Sequence, residues 1–351
     1  MRLAWTRVHV GALRLSALRL PALRLSALRL APVAVSVTVL ATGCHFLGTG
    51  GSSTVSGNGA AITVAAIPGI DNAPLSVAVK DGLFKQYGLN VTVKDYQSLS
   101  AELKDLKGGQ VQIAAGDYTS FFYAQSVEGA SLRLIADGYD AASKSVAILT
   151  LPRSPITTPG DLAGAHVATP QPQVVPFSAT VPYNIQTLAA EEVLQNEGVS
   201  PSSVNWTHMQ PQDMIGALRS HQVSAILVSE PYILEAEKQL GAVEVVDATN
   251  GVTSGLPISG YFSLGSYAHA NPSAVQAFQQ ALGQAQAECA QRGPVQSALA
   301  NLGGTADDAA LVTLGTYPTS LNVGQVQRLA TLMYDSGMIT SQVSVNSMIS
   351  G

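Results

Sequence analysis

The 351-residue sequence predicts an α/β protein of two lobes, each a mainly parallel sheet flanked by helices and joined by a two-strand hinge, with a helical C-terminal segment. Three observations carry this. Short β-rich runs alternate with segments of helical spacing from Ala61 onward, the pattern of a parallel sheet covered by helices. The alternation restarts near Ser145 as a second set. The last 80 or so residues hold helical periodicity without strands enough for a sheet.

In the first set the strands are "AITVAAI" (61–67), "NVTVKDY" (90–96), "QVQIAA" (110–115) and "LRLIAD" (132–137), with Leu99, Leu103 and Leu106 marking a helix between two of them. The second set begins with "SVAILTL". At Thr158-Pro159-Gly160-Asp161 an N-cap, a proline at the first helical position and an acid three residues after the cap predict a helix start. It continues through "AHVATP", a helix from about Tyr183 to Glu197, "VNWTHM", a helix across Asp213 to Arg219, "VSAILV", a helix after Pro231, and "AVEVVDA". A helix opens at Asn271-Pro272, with Val275, Phe278 and Leu282 on one face, and the mainly helical last 80 residues are expected to pack on the first lobe or bridge both. The expected bodies are residues 61–142 plus 259–351 for lobe 1 and 143–258 for lobe 2, with hinge strands near Tyr139–Val146 and Thr253–Phe262.

Residues 1–43 read as an export signal and 44–60 as a tether. "ALRLSALRLPALRLSALRL" (12–30) repeats a five-residue unit whose arginines would be spread around a helix by roughly 140° per repeat, leaving no clean apolar face. It suits a basic leader better than an amphipathic surface helix. Ala31 to Gly43 is then a charge-free apolar stretch of signal-peptide length, too short to span a bilayer. Leu40 to Cys44 resembles a bacterial lipobox, although Ala41 stands where Leu is commonest. The alternative is a cysteine that merely ends a signal peptide. The Gly/Ser/Thr-rich run after Cys44 favours lipidation there, because such a chain tethers and cannot pack a core. Cys289 then has no disulfide partner.

Six of the 18 basic residues precede Cys44 and none of the 23 acidic ones does, which leaves 12 bases against 23 acids beyond it. A body of that charge repels phosphate backbones, so nucleic-acid binding is excluded. Catalysis has no motif to rest on. The six histidines are scattered, and there is no G-x-S-x-G, P-loop or CxxC. "GTGGSST" has a phosphate loop's glycines without its lysine. No metal or cofactor is expected.

"LKGGQVQIAAGDY" (106–118) and "LRSHQVSAILVSEPY" (218–232) share a pattern that places an acid and a tyrosine just beyond the carboxyl end of a strand. In open parallel sheets ligands bind at that edge, so two such edges facing each other make a clamp.

"PGIDNAPLSVAVKDGLFKQYGLNVTV" resembles the opening of the ABC-transporter substrate-binding proteins for nitrate, sulfonates, taurine and thiamine pyrimidine precursors, with Gly82, Phe84, Gly88, Leu89 and Val91 on their "G-x-F-x-x-x-G-L-x-V" run. "SPITTPGDLAGAHVATP", "ALRSHQVSAILVSEPY" and "GYFSLGSYAHANPSAVQAFQQALGQAQ" resemble later parts of that family, in the same order, over roughly residues 61–340. The resemblance implies a periplasmic-binding-protein-like fold that closes on a small-molecule ligand. It also implies a monomer, held at the outer face of the membrane by Cys44, that delivers its ligand to an ABC permease and its ATPase. The segment "PQPQVVPFSATVPYN", ending at Asn184, departs from it: four prolines and no glycine replace the usual amide cradle for an anion.

Carried over by position, the ligand-binding candidates are Asp71, Asn72, Ser98, Asp117, Tyr118, Gln171, Tyr183, Glu230, Tyr232 and Tyr261. They include three acids and no Lys or Arg, whereas a sulfonate or phosphate site calls for bidentate Arg or dense backbone donors. An amine-bearing or neutral ring ligand is therefore expected, with the tyrosines as walls. Asp71 and Asp117 could instead cap the helices that follow them, and Glu230 could serve its own turn. An anion-binding protein, an exported enzyme on the same fold, or a sensor lobe for a membrane kinase are the alternatives.

Overall fold

The computed structural model describes residues 59–171, 184–300 and 310–349. The leader, the tether with Cys44, residues 172–182 and Tyr183 lie outside them. Among the described residues no helix is long and apolar enough to cross a membrane.

The chain runs through β1 (Ala60–Ala66), α1 (Ala73–Lys80), α2 (Leu83–Gln86), β2 (Leu89–Asp95), α3 (Leu99–Lys107), β3 (Ile113–Asp117), α4 (Tyr118–Ser126) and β4 (Leu132–Asp140). It then crosses to β5 (Val146–Thr150), β6 (His166–Pro170), α5 (Ile185–Asn196), β7 (Asn205–Met209), α6 (Pro211–Arg219), β8 (Ala225–Ser229), α7 (Tyr232–Leu240) and β9 (Val243–Asp247). It returns through β10 (Pro257–Leu264) to α8 (Gly265–Ala270), α9 (Pro272–Cys289), α10 (Arg292–Ala300) and two further helices at Val323–Asp335 and Val345–Ile349.

Two five-stranded sheets result, ordered β2-β1-β3-β10-β4 and β7-β6-β8-β5-β9. In each, four strands share a direction and one opposes them: β10 runs antiparallel to β3 and β4, and β5 to β8 and β9. Those two strands are the ones reached by crossing from the other sheet, at residues 141–145 and 248–256. The expected two-lobed α/β architecture is observed.

Alternation along the strands explains why both faces of the first sheet are covered. Ile62, Val64 and Ala66 of β1 enter one apolar cluster with Phe84, Tyr261 and Phe278, while Ala65 enters another with Phe121, Phe122 and Phe262. The second cluster extends to Ile148 and Leu227 of the second sheet, to Leu188 of α5, and to Val326, Leu329 and Met333 of helix Val323–Asp335. One continuous core thus links the two sheets, and the C-terminal helices close it. A third cluster, with Leu149, Met214 and Ile226, covers the far face of the second sheet.

Thr158 and Asp161 form the expected capping box, but the helix stops at a 3-10 turn, Pro159–Leu162. Gly164 turns the chain at φ +77° and β6 begins two residues later, so no room remains for a further turn.

Candidate functional site

A cavity of about 280 Å³ lies between the two sheets. Gly69, Ile70 and Asp71 of the loop after β1 form one wall with Tyr139 of β4. Gln186 of α5 and Ser229, Glu230 and Pro231 at the end of β8 face them. Ser145, Val146 and Ile258, where the chain crosses between sheets, close the back. Cavities of about 410 Å³, beside β4 and α9, and about 650 Å³, between α5 and helix Val323–Asp335, are larger. Of these three cavities among the described residues, the inter-sheet one meets the carboxyl ends of parallel strands from both sheets, where open α/β folds bind ligands.

Each wall is fixed by local chemistry. The Asn72 side chain donates to Ile67 O at 2.9 Å, which ties the loop that presents Asp71. Burial raises the Asp71 carboxyl above its ordinary value, opposed by the Ser259 hydroxyl and by the backbone at residues 71 and 72. Glu230 accepts the backbone N–H of Leu234 at 3.2 Å and of Thr313 at 2.8 Å. Burial raises it too, and those amides partly offset the rise. Gln186 Nε2 donates to Ser229 Oγ at 3.0 Å, leaving Gln186 Oε1 without a partner. The Tyr139 hydroxyl accepts the N–H of Gly315 at 2.5 Å, and the Tyr317 hydroxyl donates to Ile70 O at 2.7 Å. Residues 313–317 are thereby strapped to both walls. The described lining is rich in acceptors and holds no Lys or Arg.

Of the ten positions named from sequence, Asp71 and Glu230 line this cavity. Ser98 caps α3, accepting from Ala101 N, and Asp117 caps α4, accepting from Thr119 N and Oγ1 at 2.6 Å each. Burial pushes Asp117 up to about 6 even so. Gln171, just beyond β6, is exposed and accepts from Gln210. Tyr232 begins α7 and packs on the third cluster. Tyr118 and Tyr261 are corrections to the expected aromatic walls, being 0% and 1% exposed. Tyr118 donates to Asp137 Oδ1 at 2.8 Å within a nest of Phe122 and Phe262, and its ring presses on Gly260, where a Cβ would come within 2.8 Å. Tyr261 packs edge-on against Phe278. Both rings are used up by the core. Gln186 went unnamed from sequence because nothing in its spacing marks it; Tyr139 and Ser145 had been placed only in the hinge.

Residues 56–302 match the model of the NMT1-like family. The chain belongs to that family. No curated protein matches this NMT1-like chain in sequence. Among solved structures, the periplasmic aliphatic sulphonate binding protein SsuA from Escherichia coli is 21% identical, with a TM-score of 0.69 over 83% of this chain and 97% of that one. The periplasmic nitrate-binding protein NrtA from Synechocystis PCC 6803 is 15% identical, with a TM-score of 0.63 over 82% and 84%. The desulfurization enzyme DSZB is 14% identical, with a TM-score of 0.62 over 83% and 96%. At these identities the likeness is one of fold, and it bears out the two-lobed architecture; the family match over residues 56–302 is what bears out the resemblance read from the sequence.

Proposed function

We propose that this NMT1-like protein is the extracytoplasmic solute-binding component of an ABC importer. It captures a small polar ligand, amine-bearing or built on a neutral ring, between the two sheets and delivers it to a membrane permease with its ATPase. The observation that carries the ligand class is the cavity's chemistry: Asp71, Glu230 and the free Gln186 Oε1 offer acceptors, and no described lining residue is cationic. In sequence, residues 172–183, which precede Gln186, carry no charge of either sign. An anion there would face carboxylates in a low-dielectric cleft, at a cost of several kcal/mol. A ligand with N–H donors meets partners instead.

Closure would bring residues 61–142 plus 259–351 against 143–258, pivoting on the two crossings. A ligand that binds only the folded state at a hundredfold excess over its Kd adds about 2.7 kcal/mol, which for a chain of this size raises Tm by roughly 5 °C. A thermal-shift screen over amines, pyrimidines, sulfonates and nitrate should give that rise with an amine or a pyrimidine. A rise with sulfonates alone would sink the ligand class; no rise with any would undercut the receptor.

The shared fold with DSZB supports a second reading, an exported enzyme. Recovering the bound ligand unchanged after long incubation separates the two, since an enzyme would return product.

The supposed anchor is Cys44, acylated and followed by the Gly/Ser/Thr tether, which would hold the clamp at the outer face of the cytoplasmic membrane. Cys44→Ala should move the protein from the membrane to the soluble fraction with ligand affinity unchanged. If fractionation still finds it on membranes, the leader is the anchor.

A further inference from the structure

Glu102 shares the stripe of Leu99, Leu103 and Leu106 on α3, because positions i, i+3, i+4 and i+7 lie on one side of a helix. The four residues are buried together, and Glu102 is 0% exposed. Neither of its carboxylate oxygens has a hydrogen-bond partner; the amide of Ala115 comes close enough to favour the charged form without reaching hydrogen-bond geometry. Glu102 Oε2 lies 3.8 Å from the place a Cβ would occupy on Gly116, at the carboxyl end of β3.

Gly116 is followed by Asp117, whose strand partner is Ser259, and the Ser259 hydroxyl bonds Asp71 on the cavity wall. Three carboxylates on three separate elements therefore gather around the end of one strand. Two enclosed hydroxyls on elements beside it, Ser120 of α4 and Tyr261 of β10, also lack partners. The bases nearest in sequence, Lys104 and Lys107, are exposed on the other side of α3. A buried carboxylate with no counter-charge and no donor in hydrogen-bond geometry destabilises the fold that holds it unless it takes a proton. Burial accordingly raises Glu102 well above its ordinary value, and the charge of Asp71 adds to the rise.

Resting on the receptor reading above, we propose that Glu102 is the specificity-determining residue for a positively charged group. It stands behind Asp71 as a buried counter-charge for one ammonium or guanidinium of the ligand bound in the cavity. The cation would bring a positive charge to Asp71, whose own charge acts on both Asp117 and Glu102 behind it. A neutral or anionic ligand gains nothing from Glu102, so the residue selects by charge while remaining out of contact with the ligand's outline.

The test uses the full folded body, with methylammonium, guanidinium and 1,3-diaminopropane chlorides as probes, a neutral pyrimidine and taurine as comparators, and calcium and zinc chlorides as controls. Wild type should show thermal shifts with at least one organic cation. Glu102→Gln should weaken that cation by roughly tenfold or more, leave any neutral comparator unchanged, and raise the Tm of the ligand-free protein. Glu102→Leu, matched to its apolar neighbours Leu99 and Phe121, should do the same.

Cation affinity unchanged in both variants overturns the proposal, as does a lowered ligand-free Tm or failure of both to fold, since either shows a structural role. A shift with calcium or zinc but none with the organic cations overturns it as well. If only the neutral or anionic comparators bind wild type, the charge selection falls and the receptor stands; if no probe binds, both fall.

Discussion

Replacing Phe262 with alanine should lower the free energy of unfolding by about 3 to 5 kcal/mol, the usual cost of emptying an aromatic site in a tight core. Phe262 is 0% exposed. Its ring stacks on Phe121 with centroids 4.0 Å apart and planes 14° from parallel, and it meets Tyr118 and Phe122 edge-on at 5.4 and 6.4 Å. No small motion can refill that volume, because each neighbour is itself fixed: Phe121 and Phe122 sit on α4, and the Tyr118 hydroxyl is tied to Asp137. The site also lies in the core that runs from one sheet to the other, so the loss is felt by both. Denaturant titration of wild type, Phe262→Leu and Phe262→Ala would check it. Leucine should cost less than alanine, since it keeps most of the volume. An alanine variant within 1 kcal/mol of wild type would mean the cluster repacks freely, against the geometry described.

How much could be read in advance depended on whether a residue's role was set by its neighbours in sequence or across the sheet. Strand ends were legible: the echo between 106–118 and 218–232 places an acid at the close of β3 and just past β8, and Asp117 and Glu230 stand there. Strand starts were less so; "QVQIAA" was expected from residue 110, but β3 begins at Ile113 after the turn around Gly109 at φ +69°. Tyr118 and Tyr261 were illegible for a different reason. Tyr261 and Phe262 point to opposite faces of β10, and on a sheet covered on both sides each face is core. Sequence alternation cannot say that the exposed-looking partner is covered by α9, which arrives from residues further along. Glu102 is legible in principle, as an acid on the leucine stripe of α3, but its sequence position does not reveal that the stripe is closed over so fully that the carboxyl is 0% exposed.

The second large effect concerns pH. Asp140, the last residue of β4, is 6% exposed, and its backbone exchanges two hydrogen bonds of 2.9 Å with Thr316. Its Oδ1 has no partner. Burial, with the charge of Asp137 adding to it, pushes Asp140 up to about 7, and Asp137 itself stands at about 6. The two titrate as a coupled pair. A carboxyl whose folded-state value exceeds its unfolded one near 4 holds its proton more tightly when folded. Its stabilising contribution is complete below about pH 4 and is lost as pH rises towards 7. At about 1.36 kcal/mol per unit, the Asp140 loss is on the order of 4 kcal/mol by pH 8, and Asp117, also about 6, acts in the same direction. Asp161, held down to about 2 by the Thr157 and Thr158 amides, works the opposite way, but it is exposed and has completed its change well below pH 5. Tm should therefore fall between pH 5 and 8. Asp140→Asn cannot ionise, so it should raise Tm at pH 8, change it little at pH 4.5, and flatten the profile between. A substitution effect equal at both values would show that Asp140 acts through its shape and hydrogen bonds, with its charge contributing nothing. The position gives the result a functional edge. Asp140 is where the chain leaves the first sheet for the second, beside Tyr139 on the cavity wall, so the proton it holds lies next to the candidate site.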